Sequence, residues 1–259
     1  MTSRWELSDL EFVALWEPFR AGTVPRPFQF TSRIPDYDDY QREKEAIRDR
    51  MRNTLGQELG GALEAAACPD IRVVVAGYDG ADPKDPKAQV RLLAVRRGGL
   101  GYVLVQLPGE TQWHSGGYII AEHDALVLAM AVAEALPDKS AGRLGRLVLP
   151  RQGDDMDHSY QRSVAHELTH DPDRDRAVEF RRSQICGQGS IEISQGSSRF
   201  GPRGIVRRVL SWRDLDRDGR YAVTAANPPV AIGAGAERLA GLINAEIAEV
   251  VLAIKDERS

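Results

Sequence analysis

The residues with the clearest capacity for chemistry are His166-Glu167-Leu168-Thr169-His170, an H-E-x-x-H pattern. On a helix this spacing puts both imidazoles on one face, where they can share a zinc ion. The glutamate then acts as general base on metal-bound water. Such a site needs a third ligand. The extended pattern would place glycine and histidine at positions 173 and 176, but these are Asp173 and Arg176. Glu179 or Glu192 could serve instead, although Glu192 falls in a predicted strand. Pro172 closes the helix just after His170, and the flanks from His158 to Ser163 and from Asp171 to Arg174 are polar. A water-excluding metal site needs more apolar support than this. The segment therefore reads as an exposed helix carrying two histidines, with a zinc metallopeptidase as the alternative.

Asp214-Leu215-Asp216-Arg217-Asp218-Gly219 matches the opening of a calcium loop, but its twelfth position is Ala225 where a glutamate is needed. The following residues, Arg220 to Ala225, read as strand, so a hairpin turn accounts for the aspartates and the glycine. Gly98-Gly99-Leu100-Gly101 lacks the helix that a phosphate cradle requires. There is no P-loop and no G-x-S-x-G elbow. No cofactor or metal is expected.

The chain has 259 residues, 42% of them hydrophobic, enough for a proper core. Its net charge of −4 argues against a general nucleic-acid surface. Basic residues come as short pairs, Arg96-Arg97, Arg181-Arg182 and Arg207-Arg208, which read as solvated surface. The N-terminus has no apolar signal segment, and the longest apolar run, Ala125 to Ala133, is too short to span a membrane. Cys68 and Cys186 do not make a disulfide framework, so a cytoplasmic protein with reduced thiols is expected.

The elements that would position any site repeat themselves. Residues 71–137 read as strands Ile71–Val75, Val90–Val95 and Tyr102–Leu107 followed by a helix from Asp124 to Leu136. Residues 189–254 repeat the order with Ile191–Ser194, Ile205–Leu210, Tyr221–Ala225 and a helix from about Gly235 to Ile254. Gly98-Gly99 is a hairpin turn in the first copy, and Gly77 to Ala88 is a long polar loop. Before the first copy, Ser8 and Glu11 predict a capping box and Leu7 with Phe12 a hydrophobic staple, on a short helix ended by Pro18. Phe28 and Phe30 alternate with polar residues and predict a half-buried strand. A longer helix from about Asp38 carries Ile47, Met51, Leu55, Leu59 and Leu63 on one face, with a break expected at Gly56, Gly60 and Gly61. Between the copies lie a short strand at Arg146–Leu149 and a charged, irregularly helical stretch, 153–186. Short meander connections imply antiparallel strands. The expected class is α+β: an antiparallel sheet with flanking helices and an internal pseudo-twofold repeat. We expect a single domain over 1–259, its halves 1–137 and 138–259.

In order and spacing the chain resembles the EspG proteins of type VII (ESX) secretion in actinobacteria. The resemblance is carried by Glu6-Leu7-Ser8-Asp9-Leu10-Glu11-Phe12 through Val24-Pro25, by Pro69-Asp70-Ile71-Arg72-Val73 and Val90 to Gly98 with the strands and helix to Leu136-Pro137, and by Leu210-Ser211-Trp212-Arg213-Asp214 with Gly219-Arg220-Tyr221 and the final helix. It implies a cytosolic, non-enzymatic chaperone. Such a protein binds the tip of a helical secretion substrate, PE–PPE-like or WXG100-like, keeps it soluble and delivers it for export. The resemblance also implies a binding surface made of the loop between the second and third strands and a helical bundle in the second half. By position the loop residues are Tyr78, Asp79, Asp82, Lys84, Asp85 and Lys87, and the bundle residues Tyr160, Val164, Leu168, Ala177 and Phe180. The bundle here is unusually charged, from Asp154, Asp155 and Asp157 to Asp171, Asp173, Arg174, Asp175 and Arg176, which points to a divergent helical-hairpin partner.

Overall fold

Ten strands form one antiparallel sheet, in the order β1 (Arg4–Leu7), β5 (Ser115–Asp124), β4 (Leu100–Pro108), β3 (Gln89–Arg97), β2 (Ile71–Asp79), β7 (Ile185–Gln195), β8 (Arg207–Leu215), β9 (Gly219–Thr224), β10 (Val230–Gly233) and β6 (Arg146–Val148). The architecture is seen in a computed structural model that describes residues 3–20, 22–54, 57–149 and 172–258. At the centre β2 pairs with β7, in register from Ile71↔Gln195 to Asp79↔Gly187. Outward from this pair the chain meanders β2-β3-β4-β5 on one side and β7-β8-β9-β10 on the other. The strand preceding each meander, β1 or β6, closes the outer edge. The class is α+β, as the sequence predicts.

Helices cover the two faces unequally. On one face lie α4 (Leu128–Glu134) and α6 (Ala236–Arg258). Strand alternation sends Ile71, Val73 and Val75 of β2, Ile191 and Ile193 of β7, and Leu210 and Trp212 of β8 to this side. There they form one continuous core with Leu128, Val132, Leu239, Ile243 and Val250. The other face is covered in two separate patches. Helices α1 (Asp9–Trp16) and α3 (Gln57–Ala67) bury Phe12, Trp16, Leu59 and Leu63 against Val74, Leu93, Leu104 and Tyr118 of β2 to β5. Far from them, α5 (Pro172–Arg182) buries Phe180 against Leu147, Leu215, Tyr221 and Ala231. The face of β7 that looks this way belongs to neither patch.

Several local expectations hold. Ser8 caps α1, its side chain accepting from the Glu11 N–H while Glu11 accepts from the Ser8 N–H. A two-residue turn joins β3 to β4, with Gly98 at φ 59, where only glycine is free of strain. Others are corrected. The second and third strands are longer than expected, so Gly77, Tyr78 and Asp79 belong to β2 and the loop proper is 80–88, ending in a 3-10 turn at Pro86–Ala88. Strands β5 and β10 are additions to the three expected in each half. The helix expected from Asp124 is a 3-10 turn, Ala125–Val127, followed by α4. Phe28 and Phe30 do not lie in a strand. Instead the Gln106 side chain takes both polar groups of the Gln29 backbone, donating to its carbonyl and accepting from its N–H, as a neighbouring strand would. Helices α2 (Tyr37–Thr54) and α3 flank Leu55 and Gly56, which lie outside the described residues, and Gly60 and Gly61 lie within α3 without breaking it.

The aspartates of the β8–β9 hairpin are used internally. Asp214 and Arg220, 1% and 2% exposed, form a bidentate pair, Nε to Oδ1 at 2.8 Å and the terminal nitrogen to Oδ2 at 2.9 Å. Asp218 accepts from the Arg143 N–H at 2.8 Å and from the Tyr221 hydroxyl, which itself accepts from the Leu144 N–H at 2.9 Å. Arg217 takes the left-handed conformation at φ 61 and Gly219 lies at φ 150, the geometry of a tight hairpin. No group of three or more potential metal ligands occurs among the described residues.

Removing one member of a buried ion pair strands the other charge, at about 3–5 kcal/mol. Asp214→Ala should therefore lower the unfolding free energy by that amount in urea titration, far more than Asp216→Ala at the exposed tip of the same turn. A second expectation concerns pH. Burial works to raise the Asp218 carboxyl, but the bonds from Tyr221 and Arg143 outweigh it and hold it below the usual carboxylate range. Its contribution is thus fully present above the unfolded aspartate value of about 4 and is lost as pH falls through the lower folded value. Tyr221→Phe should cost about 1–2 kcal/mol at pH 7. The deficit should stay constant down to about pH 5 and shrink below about pH 4, without vanishing, because the Leu144 bond is lost as well.

Candidate functional site

Among the described residues, the part of the second face left uncovered is a trough floored by β2, β7 and β8 and walled by the two helical patches. Alternation points Ala76 and Tyr78 of β2, Gln188 and Ser190 of β7, and Ser211 and Arg213 of β8 into it. Together they line a shallow cavity of about 340 Å³. Below its floor, Gly77 and Gly189 face each other across the β2–β7 pair. A Cβ on Gly189 would lie 2.1 Å from the Trp212 ring and one on Gly77 2.8 Å from it. The two glycines therefore let the indole lie flat beneath the trough, so that one thickness of backbone separates the core from the surface. Val209, 44% exposed, continues the floor along β8.

The elements that sequence reasoning singled out come together at one end of this trough. The Gly80 N–H donates to the Cys186 carbonyl at 2.7 Å, which ties the start of loop 80–88 to the start of β7, just after α5. The Asp216 N–H donates to the Gln184 carbonyl and brings the β8–β9 turn to the same place. Within the loop, Asp82 accepts from the Lys84 N–H and Asp85 from the Lys87 N–H, at 2.8 and 2.9 Å. The carboxylates thus shape the loop, while all four side chains remain exposed. Tyr78 stands half-buried on the trough floor. Asp79 points to the opposite face, where Lys139 reaches it at 3.1 Å and has its pKa raised mainly by that bond.

Ala177 and Phe180 are not surface residues. They are 6% and 1% exposed, and the Phe180 ring meets Tyr221 edge-on at 5.1 Å with the Arg213 guanidinium above it. α5 is so charged that its few apolar residues are needed to seat it on the sheet. Its outward side carries Asp173, Arg174, Val178, Glu179, Arg181 and Arg182. Tyr160, Val164 and Leu168 lie outside the described residues, as do His166, Glu167 and His170 of the zinc alternative. Burial pushes the Cys186 thiol up, the opposite of what an activated nucleophile needs.

A larger cleft, about 520 Å³, opens between α1, α2 and the chain from Gly22 to Phe30. Within it, Lys44 donates to Glu17 at 2.7 Å and stacks on Tyr40, and Arg48 takes the other Glu17 oxygen at 2.8 Å. Sequence reasoning missed the trough residues Arg72, Glu192, Arg207 and Arg213. Arg72 and Glu192 do carry a signal, a charge set between two apolar strand residues, Ile71 and Val73 or Ile191 and Ile193; Arg207 and Arg213, each beside another charged residue, carry none.

Among the described residues no helix is long and apolar enough to cross a membrane. No curated protein sequence matches the chain. Among solved structures it is similar to the type VII secretion system chaperone EspG5 of Mycobacterium tuberculosis, determined in complex with the PE25–PPE41 dimer. The likeness covers 95% of this chain and 96% of that one, with a TM-score of 0.52 and 14% identity, and so concerns the fold. The family model described as EspG family matches residues 8–244. With nearly its whole length matched, the chain belongs to the EspG family.

Proposed function

We propose that this protein is a non-enzymatic cytosolic chaperone of type VII secretion. It binds a helical-hairpin substrate, the PPE-like member of a PE–PPE pair or a divergent equivalent, keeps it soluble and presents it for export. The observation that carries the reading is the trough: a stretch of central sheet that the described helices leave bare between two layers, with an exposed polar loop and a charged helix at one end. Membership of the EspG family and the likeness in fold to a chaperone solved with a PE–PPE dimer support it.

In this proposal the hairpin tip lies on the floor beside Tyr78, and Asp82, Lys84, Asp85 and Lys87 of the loop fix its orientation. A half-buried tyrosine is suited to anchoring because it offers a large rigid surface with a polar end. The exposed side of α5 forms the second wall, with Ala177 and Phe180 holding that helix from beneath and Asp79 bracing the loop through Lys139. Tyr160, Val164 and Leu168 stay in the proposal on sequence grounds alone.

Co-expression with the PE–PPE pairs of the same genome tests the reading. At least one pair should become soluble and co-elute with the chaperone as a complex. If every pair stays insoluble or elutes alone, the proposal fails. With the pair that binds, Tyr78→Ala should weaken affinity by about 1–3 kcal/mol, at least several-fold in Kd by calorimetry.

A further inference from the structure

Away from the loop, the trough carries an imbalance of charge. Arg72 of β2, Glu192 of β7 and Arg207 of β8 lie on the same face, with Arg72 at the margin of the α3 patch and Arg207 exposed. Arg72 and Arg207 each stand opposite Ser194, and Glu192 is two residues along β7 from it. Arg26 reaches in from the chain between α1 and α2. Arg213 stands towards the other end of the floor. Among the residues that β2, β7 and β8 direct to this face, Glu192 is the one acid. In a chain of net charge −4 this is a local reversal of sign.

Glu192 does not neutralise its neighbours well. Arg26 approaches it at 3.9 Å and Arg207 at 3.7 Å, both beyond the 2.7–2.9 Å of a charge-assisted hydrogen bond. The bidentate pair of Asp214 with Arg220 shows what a closed guanidinium–carboxylate contact looks like in this molecule. Arg72 is less satisfied still. A guanidinium has five N–H donors, and among the described residues this one makes a single long bond, of 3.4 Å to the Ala66 carbonyl. Its Nε is buried and has no hydrogen-bond partner among the described residues. Burial, together with the like charge of Arg20, pulls its pKa below the ordinary arginine value, as for a cation short of counter-charge. A buried unpaired donor of this kind is uncommon in folded proteins and calls for an explanation.

We infer that Arg72, Arg207 and Arg26 form a receptor for a carboxylate carried by the docking partner. The inference rests on the proposed chaperone function and adds the partner's chemistry: an acidic residue at the hairpin tip, seated over Glu192 and held by the flanking guanidinium groups. Planar forks suit carboxylates, which accept two parallel hydrogen bonds. The setting favours a protein acid over nucleic acid. The site is a compact cluster beside apolar Val209, not a stripe following a phosphate backbone. Glu192 then acts as a placeholder that loosely occupies the arginines until the partner's carboxylate replaces it.

The placeholder role makes the test two-signed. Using the PE–PPE pair that co-purifies, Kd is measured at 50 and 300 mM NaCl for wild type, Arg72→Gln, Arg207→Gln and Glu192→Gln. Melting temperatures establish that each variant is folded, and Arg207, largely exposed, is the safer substitution if Arg72→Gln unfolds. Each arginine variant should weaken binding about tenfold and flatten its salt dependence. Glu192→Gln should strengthen it several-fold. If the pair binds but all variants match wild type at both salt concentrations, the inference is overturned while the chaperone reading stands. If no pair binds, the chaperone reading fails, and citrate then decides the receptor: it should raise the melting temperature of wild type but not of Arg72→Gln. A response to inorganic phosphate with none to citrate would overturn the carboxylate assignment.

Discussion

The pairing of β2 with β7 is the constraint on which the rest of the structure depends. Nine consecutive residue pairs, Ile71↔Gln195 to Asp79↔Gly187, make one sheet from strands of the two halves of the chain. The register decides which side chains share a face, since a slip of one residue would turn every one of them over. As formed, it puts Val73, Val75, Ile191 and Ile193 together under α4 and α6 and builds a core that runs without interruption across the join. It also sets Gly77 against Gly189 and so makes room for the Trp212 ring. A side chain at either glycine would push the indole out and open the core beneath the centre of the sheet.

The second face follows from the same register by default. Helices α1 and α3 belong to the first half and cover its strands, and α5 belongs to the second and covers its outer strands. The first patch reaches as far as Val74 of β2, and among the described residues neither patch includes a residue of β7. A sheet face that central is normally apolar and covered. Here it carries Gln188, Ser190, Glu192 and Ser211 along with the arginines, a composition that water tolerates and that a polar partner can pair with. The loop 80–88 and the α5–β7 junction sit beside it because Gly80 is bonded to Cys186. The scaffold and the proposed binding elements are therefore one hydrogen-bonded system.

Much of the fold was legible because its signals are local. The capping box of Ser8 and Glu11, the Gly98-Gly99 turn, the Asp-rich hairpin and the apolar stripe of α6 depend on a few neighbouring residues. Strand β5 was missed because it opens with Ser115-Gly116-Gly117 and closes with Glu122-His123-Asp124, which read as turn at both ends. Strand β10 is short and follows Pro228-Pro229. Phe28 and Phe30 have the alternation of a strand, yet a glutamine side chain, not a strand, supplies the partner. The site was harder to see for a different reason. Ala177 and Phe180 were expected on a surface because the resemblance places the binding bundle there by position, but the charged helix needs its few apolar residues for its own seat. Arg72 and Arg207 look like ordinary surface residues until the layering of helices shows which face stays bare.

The central pairing has a consequence for how the chain is made. β2 leaves the ribosome long before β7, so while the intervening residues are synthesised its outer edge has backbone donors and acceptors with no partner. An open, apolar strand edge is a template for pairing with other chains. Closing it waits on a contact between residues far apart in sequence, the kind that forms slowly. A protein proposed to keep others from aggregating thus passes through a stage in which its own central strand is exposed to the same hazard.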